Sequence, residues 1–184
     1  MTPEEIIEKL KENLPEAKLE LQRGEFGDSW ILVEPPKLPD VLRYLYDVQD
    51  AKYMACLSGV DYGENLGVVY HVRSLSKQFN SMVKVLVNRQ DPVVPTVSHL
   101  YGVANWFERE VFDLFGVRFD GHPDLRRIMM PDDWVGHPLR KDYQDPEEYH
   151  GMSHQRPNPH DLLDPPKEDP VVVPPPPKEE GPSS

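Results

Sequence analysis

The stretch from Gln144 to Ser184 limits what this chain can fold into, because it is rich in proline and acid and almost empty of core-forming aliphatic residues. It carries nine Asp or Glu against three Lys or Arg, half of the chain's net charge of −12. Ten prolines fall between Pro157 and Pro182, four of them in succession from Pro174 to Pro177. Proline fixes φ and donates no backbone hydrogen bond, so this segment is expected to be extended polyproline II or disordered. The folded part is thereby confined to Met1–Tyr143, which is long enough to bury a proper core.

Within it, Thr2-Pro3-Glu4-Glu5 has the form of a helix capping box with proline at the first helical position. Ile6, Ile7, Leu10 and Leu14 follow at helical spacing, and Pro15 ends the helix. Lys18–Gln22 alternates apolar and polar, Ser29–Glu34 is a compact apolar run, and the turn residues between them predict a hairpin. A second helix is expected over Pro39–Val48, and strands over Met54–Tyr62, Gly67–Ser74 and Ser81–Asn88. The last of these is dense enough in Val and Leu to sit at the centre of a sheet.

The longest helix is expected over Val97–Phe115, with Leu100, Val103, Ala104, Phe107, Val111 and Leu114 on one face. Arg109 falls opposite that face, one turn from Asp113 and in i,i+4 reach of it. Glu108, Arg109, Glu110 and Asp113 read as a solvated or salt-bridged face in preference to an acid–base pair. Trp106 and Phe112 lie on the flanks, which calls for either a second partner or covering loops. The order of elements predicts an α+β fold: a mostly antiparallel sheet with helices packed on one face, followed by an extended irregular C-terminal segment. The expected organisation is an α+β domain over 1–120, an ordered basic and aromatic interaction loop over 121–143, and the tail over 144–184.

That loop contains a near-repeat, Gly121-His122-Pro123-Asp124 and Gly136-His137-Pro138-Leu139, followed by Arg126-Arg127 and Arg140-Lys141 respectively. Proline forces the preceding residue toward extended conformations, so the segment reads as chain laid over a surface along a defined path. His122 and His137 could converge with Asp124 or Asp132 on a metal, as in a free-standing metal hydrolase. The plainer alternative is that they cap turns and bond backbone carbonyls. His150 and His154 have helical spacing, but their Pro- and Gly-rich surroundings argue against a helix. No glycine-rich phosphate loop or nucleophile elbow is present.

The acidic balance, with a pI near 5.0, argues against nucleic-acid binding. The single cysteine, Cys56, lies in an apolar stretch and reads as a core residue; one thiol excludes an intrachain disulfide and a self-contained iron–sulfur cluster. The segment after Met1 reads as an acidic helix and not as a secretory signal, and no apolar run approaches the ~20 residues of a bilayer span. A soluble, cytoplasmic chain is therefore expected, built for interaction more than for catalysis.

At Glu108 the pattern becomes specific. Glu108-Arg109-Glu110-Val111-Phe112-Asp113-Leu114-Phe115, then His122, Arg126 and Ile128-Met129 resemble the signature of the 30-kilodalton subunit family of respiratory complex I. Gly121–Ile128 and Gly136–Tyr143 resemble the same family. The resemblance implies a non-catalytic structural subunit in the hydrophilic arm of a proton-translocating NADH:quinone oxidoreductase, peripheral on the cytoplasmic face of the membrane. It implies docking onto the quinone-site (49 kDa) subunit and neighbouring iron–sulfur subunits, with FMN, clusters and quinone held by those partners and no cofactor in this chain. The residues it marks for interaction are Glu108, Arg109, Glu110, Asp113, His122, Asp124, Arg126, Arg127, His137, Arg140, Lys141 and Tyr143. Of these, Arg126, Arg127, Arg140 and Lys141 are expected to form a basic strip facing acidic neighbours. The tail is expected to lie along the partner, replacing the covalent fusion found in some bacteria. The alternatives are the equivalent subunit of a membrane-bound hydrogenase or a deazaflavin-dependent dehydrogenase complex, and a scaffold for peptide-binding domains.

Overall fold

The structure, a computed structural model, describes residues 2–24 and 29–153. The chain divides into two compact units, Met1–Asp145 and Pro146–Ser184. The expected Pro-rich tail lies outside the described residues from His154 onward. Of the second unit, a short hairpin is described: β8 (Glu148–Tyr149) pairs with β9 (Met152–Ser153) around Gly151 at φ +79. Chain that composition marks as extended thus turns back once on itself at its start.

The first unit begins with helix α1 (Pro3–Asn13), set by its cap: the Thr2 hydroxyl accepts from Glu5 N while the Glu5 carboxylate accepts from Thr2 N. Strands β1 (Glu20–Arg23) and β2 (Ser29–Val33) form the expected hairpin. A 3-10 turn (Pro35–Lys37) leads into α2 (Leu38–Asp47), which buries Leu38, Val41, Leu42 and Leu45 completely. Each such burial removes apolar surface worth about 1.5–3 kcal/mol from water. Strands β3 (Tyr53–Asp61), β4 (Asn65–Ser74) and β5 (Phe79–Asn88) complete a five-stranded sheet in the order β1-β2-β5-β4-β3.

All pairings in that sheet are antiparallel except β2 with β5. β5 is central, as its valine density predicts. Ile31, Val83, Tyr70 and Leu57 form one row across the sheet, and Val33, Val85, Val68 and Gly59 the next. Phe115 of α3 (Ala104–Phe115) packs at the end of that second row: a Cβ on Gly59 would come within 2.5 Å of its ring. That glycine lets the helix lie directly on β3. On the opposite face the Lys84 ammonium sits 4.1 Å from the Tyr62 ring centroid and 5.0 Å from that of Trp30.

Three elements differ from the sequence reading. The long helix starts at Ala104 and not at Val97, because the chain from Thr96 to Val103 is taken up by turns. The Thr96 hydroxyl binds Ser98 N, the Glu108 carboxylate binds Val97 N, and the Tyr101 hydroxyl donates to the Ala51 carbonyl at 2.8 Å. Side chains that bond the backbone locally compete with the helical ladder, and Gly102 adds its own penalty. Two three-residue strands are also absent from the sequence reading: β6 (Val93–Pro95) runs parallel to β7 (Arg118–Asp120) and brackets α3.

Candidate functional site

α3 is buried on two sides. Its apolar residues meet the sheet, and the strap formed by residues 121–143 returns along the helix and covers its charged side. Glu108, Arg109 and Asp113 are therefore buried, with relative exposures of 0%, 4% and 0%. Of the expected solvated or salt-bridged face, the solvated form is overturned, and the ion pairs run to the strap, Asp113 with Arg127 and Arg109 with Asp124, in place of the Arg109–Asp113 pair. Arg109 donates through Nε to the Arg126 carbonyl at 3.3 Å, approaches Asp124 at 4.0 Å and stacks its guanidinium 4.9 Å from the Trp106 ring centroid. Glu110 is half-exposed and takes no part in these bonds.

Asp113 is the anchor of the strap. Its Oδ2 accepts the backbone N–H of Ile128, Met129 and Met130 at 3.0, 2.7 and 2.9 Å, and its Oδ1 accepts Arg127 Nη1 at 3.1 Å. Burial alone would raise the carboxyl, but the three amides and the Arg127 charge outweigh it and hold it below its ordinary value. Arg127 Nη2 then reaches the Gly136 carbonyl at 3.0 Å, closing the loop between the two halves of the strap.

A second set of bonds caps the helix. The last four carbonyls of a helix lack intrahelical partners, and here each has one. Phe112 O accepts Gly116 N at 2.8 Å, and Asp113 O accepts His137 Nδ1 at 2.9 Å. Leu114 O accepts Leu139 N at 3.0 Å, and Phe115 O accepts Arg140 Nε at 2.6 Å. Gly116 makes this possible: it is left-handed at φ +74, and a Cβ there would lie 2.5 Å from His137 Cδ2 and 2.6 Å from Arg140 Nη2. Burial pushes the His137 imidazole down, with Arg140 and Arg127 adding to the effect against the Asp113 carbonyl. A neutral ring donating through Nδ1 is the form this site selects.

The strap ends at a third anchor. Lys141 N donates to Asp61 Oδ2 at 2.7 Å, and Asp61 Oδ1 accepts Gly63 N at 2.8 Å and Arg89 Nη1 at 2.6 Å. Arg89 also pairs with Asp142. The Tyr143 ring lies against Gly136, whose missing Cβ leaves the room. Asp61 and Arg89 belong to the site, yet sequence reasoning misses them, since a carboxylate ending one strand and an arginine after another carry no motif of their own. The basic strip is likewise corrected: Arg127 and Arg140 turn inward, leaving Arg126 and the Lys141 side chain outside.

At the strap's start, His122 and Glu108 meet with side chains fully buried. His122 Nδ1 accepts Asp124 N at 3.0 Å and its Nε2 faces the Asn105 carbonyl at 3.2 Å. His122 and His137 are thus each tied to a backbone carbonyl, at Asn105 and Asp113, about 12 Å apart along a helix. The structure does not bring them together, and among the described residues no three His, Cys, Asp or Glu side chains are grouped to hold a metal ion.

The outer surface of this region sets large apolar side chains among exposed charged ones, Asp124, Arg126, Asp132, Asp133, Lys141 and Asp142. Trp106, Met129, Val135 and Leu139 are exposed at 60%, 61%, 80% and 52%, while the strap's charged side chains Arg127 and Arg140 point in. No helix among the described residues is long and apolar enough to cross a membrane.

Fold and site together define an α+β domain whose charged signature motif folds a strap against its own helix. The chain belongs to the family described as the respiratory-chain NADH dehydrogenase 30 Kd subunit, which matches residues 31–149. It is 40% identical over 153 residues to an NADH-quinone oxidoreductase subunit of Chlorobium phaeobacteroides, covering 74% of this chain and 92% of the relative. It is 53% identical over 102 residues to the subunit of the same name from Chloroherpeton thalassium, covering 54% of this chain but 42% of the relative's length. Among solved structures it is similar to a trypsin-resistant fragment (1–134) of Nqo5, with a TM-score of 0.57 and 31% identity over 65% of this chain and 99% of the fragment. It is also similar to a chain of the membrane-bound sulfane sulfur reductase, an archaeal respiratory membrane complex. There the TM-score is 0.62, with 28% identity over 77% of this chain and 85% of the other.

Proposed function

We propose that this chain is a non-catalytic structural subunit in the hydrophilic arm of a proton-translocating NADH:quinone oxidoreductase. The observation that carries this reading is the polarity of the strap. Arg127, His137 and Arg140 are spent on folding it, while Trp106, Met129, Val135 and Leu139 face outward. Exposed apolar groups bordered by a charged rim are the pattern of a protein–protein interface. Arg126 and Lys141 at its border steer an acidic neighbour and set the register of docking. The partner in this reading is the quinone-site subunit with the adjoining iron–sulfur subunits, which hold the FMN, clusters and quinone. This chain, with its single Cys56, holds none of them. Its place is peripheral, on the cytoplasmic face, through the complex alone.

The test is recovery of the tagged chain from its own membranes in mild detergent, with an NADH-oxidation stain on a native gel. Co-recovery of the quinone-site subunit in an NADH-active band supports the reading, and Leu139→Asp is expected to abolish it while the purified chain stays folded. Recovery as a lone monomer overturns it. The likeness to the sulfane sulfur reductase chain favours one second reading, the equivalent subunit of a related membrane-bound redox complex. Recovery in a band without NADH activity would decide for that one.

A further inference from the structure

Glu108 stands apart from the other buried carboxylates. Asp61 has Arg89 and Asp113 has Arg127, whereas Glu108, among the described residues, is bonded by Thr96 Oγ1 at 2.5 Å and Val97 N at 2.8 Å and by no cation. Thr96 has one hydroxyl proton and two acceptors for it, Glu108 Oε2 and Ser98 Oγ at 2.9 Å. With the proton directed to Ser98, the contact with Glu108 requires a proton on the carboxyl. An ionised Glu108 instead claims the Thr96 proton, and the contact with Ser98 is then kept by the Ser98 hydroxyl donating in the reverse direction.

Beyond the Thr96 and Val97 bonds, no Lys or Arg among the described residues pairs with that charge. The titratable groups facing Glu108 are Tyr70 from β4 and His122 from the strap; on the helix itself, Arg109 and Asp113 are engaged with strap residues farther along. Tyr70 is fully buried and kept protonated, first by burial and then by the Glu108 charge. His122, 3.8 Å away, has both ring nitrogens engaged elsewhere: its Nδ1 accepts the Asp124 amide, and its Nε2 faces the Asn105 carbonyl. An ionised Glu108 thus meets no free donor on the seated strap, and its hydration requires water to enter beneath the strap where His122 and Asp124 are bonded.

We infer that Glu108 is a proton-binding site that controls the seating of the strap, held at His122–Asp124 when Glu108 carries a proton and loosened there when it does not. The inference goes beyond the docking function and stands whether or not the strap's outer face binds a partner. Burial, against the bonds from Thr96 and Val97, pushes the carboxyl up to about 7 from an ordinary 4.5. The folded state therefore binds a proton that the unfolded chain has already released. The stabilisation is full below about 4.5, is lost as pH rises toward about 7, and changes no further above that.

The experiment uses the full chain with its glutamate carboxyl carbons labelled, and follows their NMR shifts together with Asp124 amide exchange, corrected for intrinsic rate. One glutamate is expected to titrate near 7, the value that burial gives Glu108, and to be missing from the spectrum of Glu108→Gln. Protection of the Asp124 amide is expected to fall about tenfold between pH ~6 and ~8 in the wild type. It should stay flat in Glu108→Gln. Thr96→Val removes a donor to the carboxylate and should move the midpoint upward, a test that does not depend on the glutamine variant folding. A Glu108 carboxyl titrating in the ordinary range overturns the inference. So does protection with the same pH dependence in wild type and Glu108→Gln, or a midpoint that Thr96→Val leaves in place.

Discussion

Asp113 and His137 are joined across the end of α3 by a 2.9 Å bond from the imidazole Nδ1 to the Asp113 carbonyl, while the carboxylate of the same residue gathers the amides of Ile128, Met129 and Met130. One residue thus anchors the strap twice, by side chain and by backbone. The backbone anchor survives any substitution at 113; the carboxylate anchor does not. Asp113→Asn keeps the shape but loses the charge and turns an amide N–H₂ toward either Arg127 or the strap amides. Breaking a buried, hydrogen-bonded ion pair costs about 3–5 kcal/mol, and the retained bonds should bring this case to about 3 kcal/mol. Urea unfolding measures it; a change below about 0.5 kcal/mol, the scatter of ordinary surface substitutions, would show the carboxylate to be dispensable.

Gly116→Ala strikes the other half of the anchor. The left-handed conformation costs a residue with a Cβ about 1–2 kcal/mol. The new methyl also meets the His137 ring at 2.5 Å and Arg140 Nη2 at 2.6 Å. His137 and Arg140 must then leave the carbonyls they cap, so the second half of the strap should detach while α3 remains helical. Limited trypsin digestion reads this directly: cleavage after Arg140 and Lys141 should accelerate well before the core opens. A wild-type digestion pattern would mean the strap can shift aside without letting go.

How much of this is legible in the sequence depends on the range of the interaction. The Thr2–Glu5 cap, the α2 stripe and the valine-dense β5 are local patterns, and each forms where its pattern lies. β6 and β7 are three residues long and pair in parallel across the whole of α3, so no local signal marks them. The helical wheel places Arg109 opposite the core correctly in angle, yet wrongly in environment, because a wheel assumes one buried side. The strap supplies a second covering layer, and a charged residue there is buried with partners instead of solvated. The signal that warns of it is present in Phe112, an aromatic off the sheet-facing stripe whose ring meets His137 of the strap, whereas Trp106 stays exposed. The family motif is readable throughout, but as letters; its physical content, a carboxylate gathering three amides, appears only when residues 128–130 return to residue 113.

At the far end of the strap, Asp61 sets a pH dependence opposite in sign to that of Glu108. The Arg89 bond, aided by the Lys141 and Gly63 amides against the cost of burial, holds its carboxyl well below its ordinary 3.8. A depressed folded value means the stabilisation is complete above about 3.8 and is lost as pH falls below it. Asp61→Asn should therefore flatten the acid limb of the stability curve below about pH 4 and lower stability at neutral pH. Thermal unfolding of both proteins from about pH 2 to about pH 7 tests it. Parallel acid limbs would exclude Asp61 as their source.

Trp106 separates the folding role of the site from its docking role. Its ring is 60% exposed and gives up little apolar burial on truncation. It stacks on the Arg109 guanidinium at 4.9 Å, a contact worth about 0.5–1 kcal/mol at an exposed site. Trp106→Ala should thus lower the stability of the isolated chain by no more than about 1 kcal/mol. Arg109→Ala should cost more, about 2 kcal/mol, because it removes the buried Arg109 stem and its bond to the Arg126 carbonyl as well as the stack. If the outer face docks as proposed, the ranking reverses in the assembled complex. Truncating an exposed tryptophan at an interface centre costs about 2 kcal/mol or more of binding, so Trp106→Ala should deplete the NADH-active band more than Arg109→Ala does. Equal assembly by wild type and Trp106→Ala would place the docking surface elsewhere on the domain, while leaving the folding role of Arg109 intact.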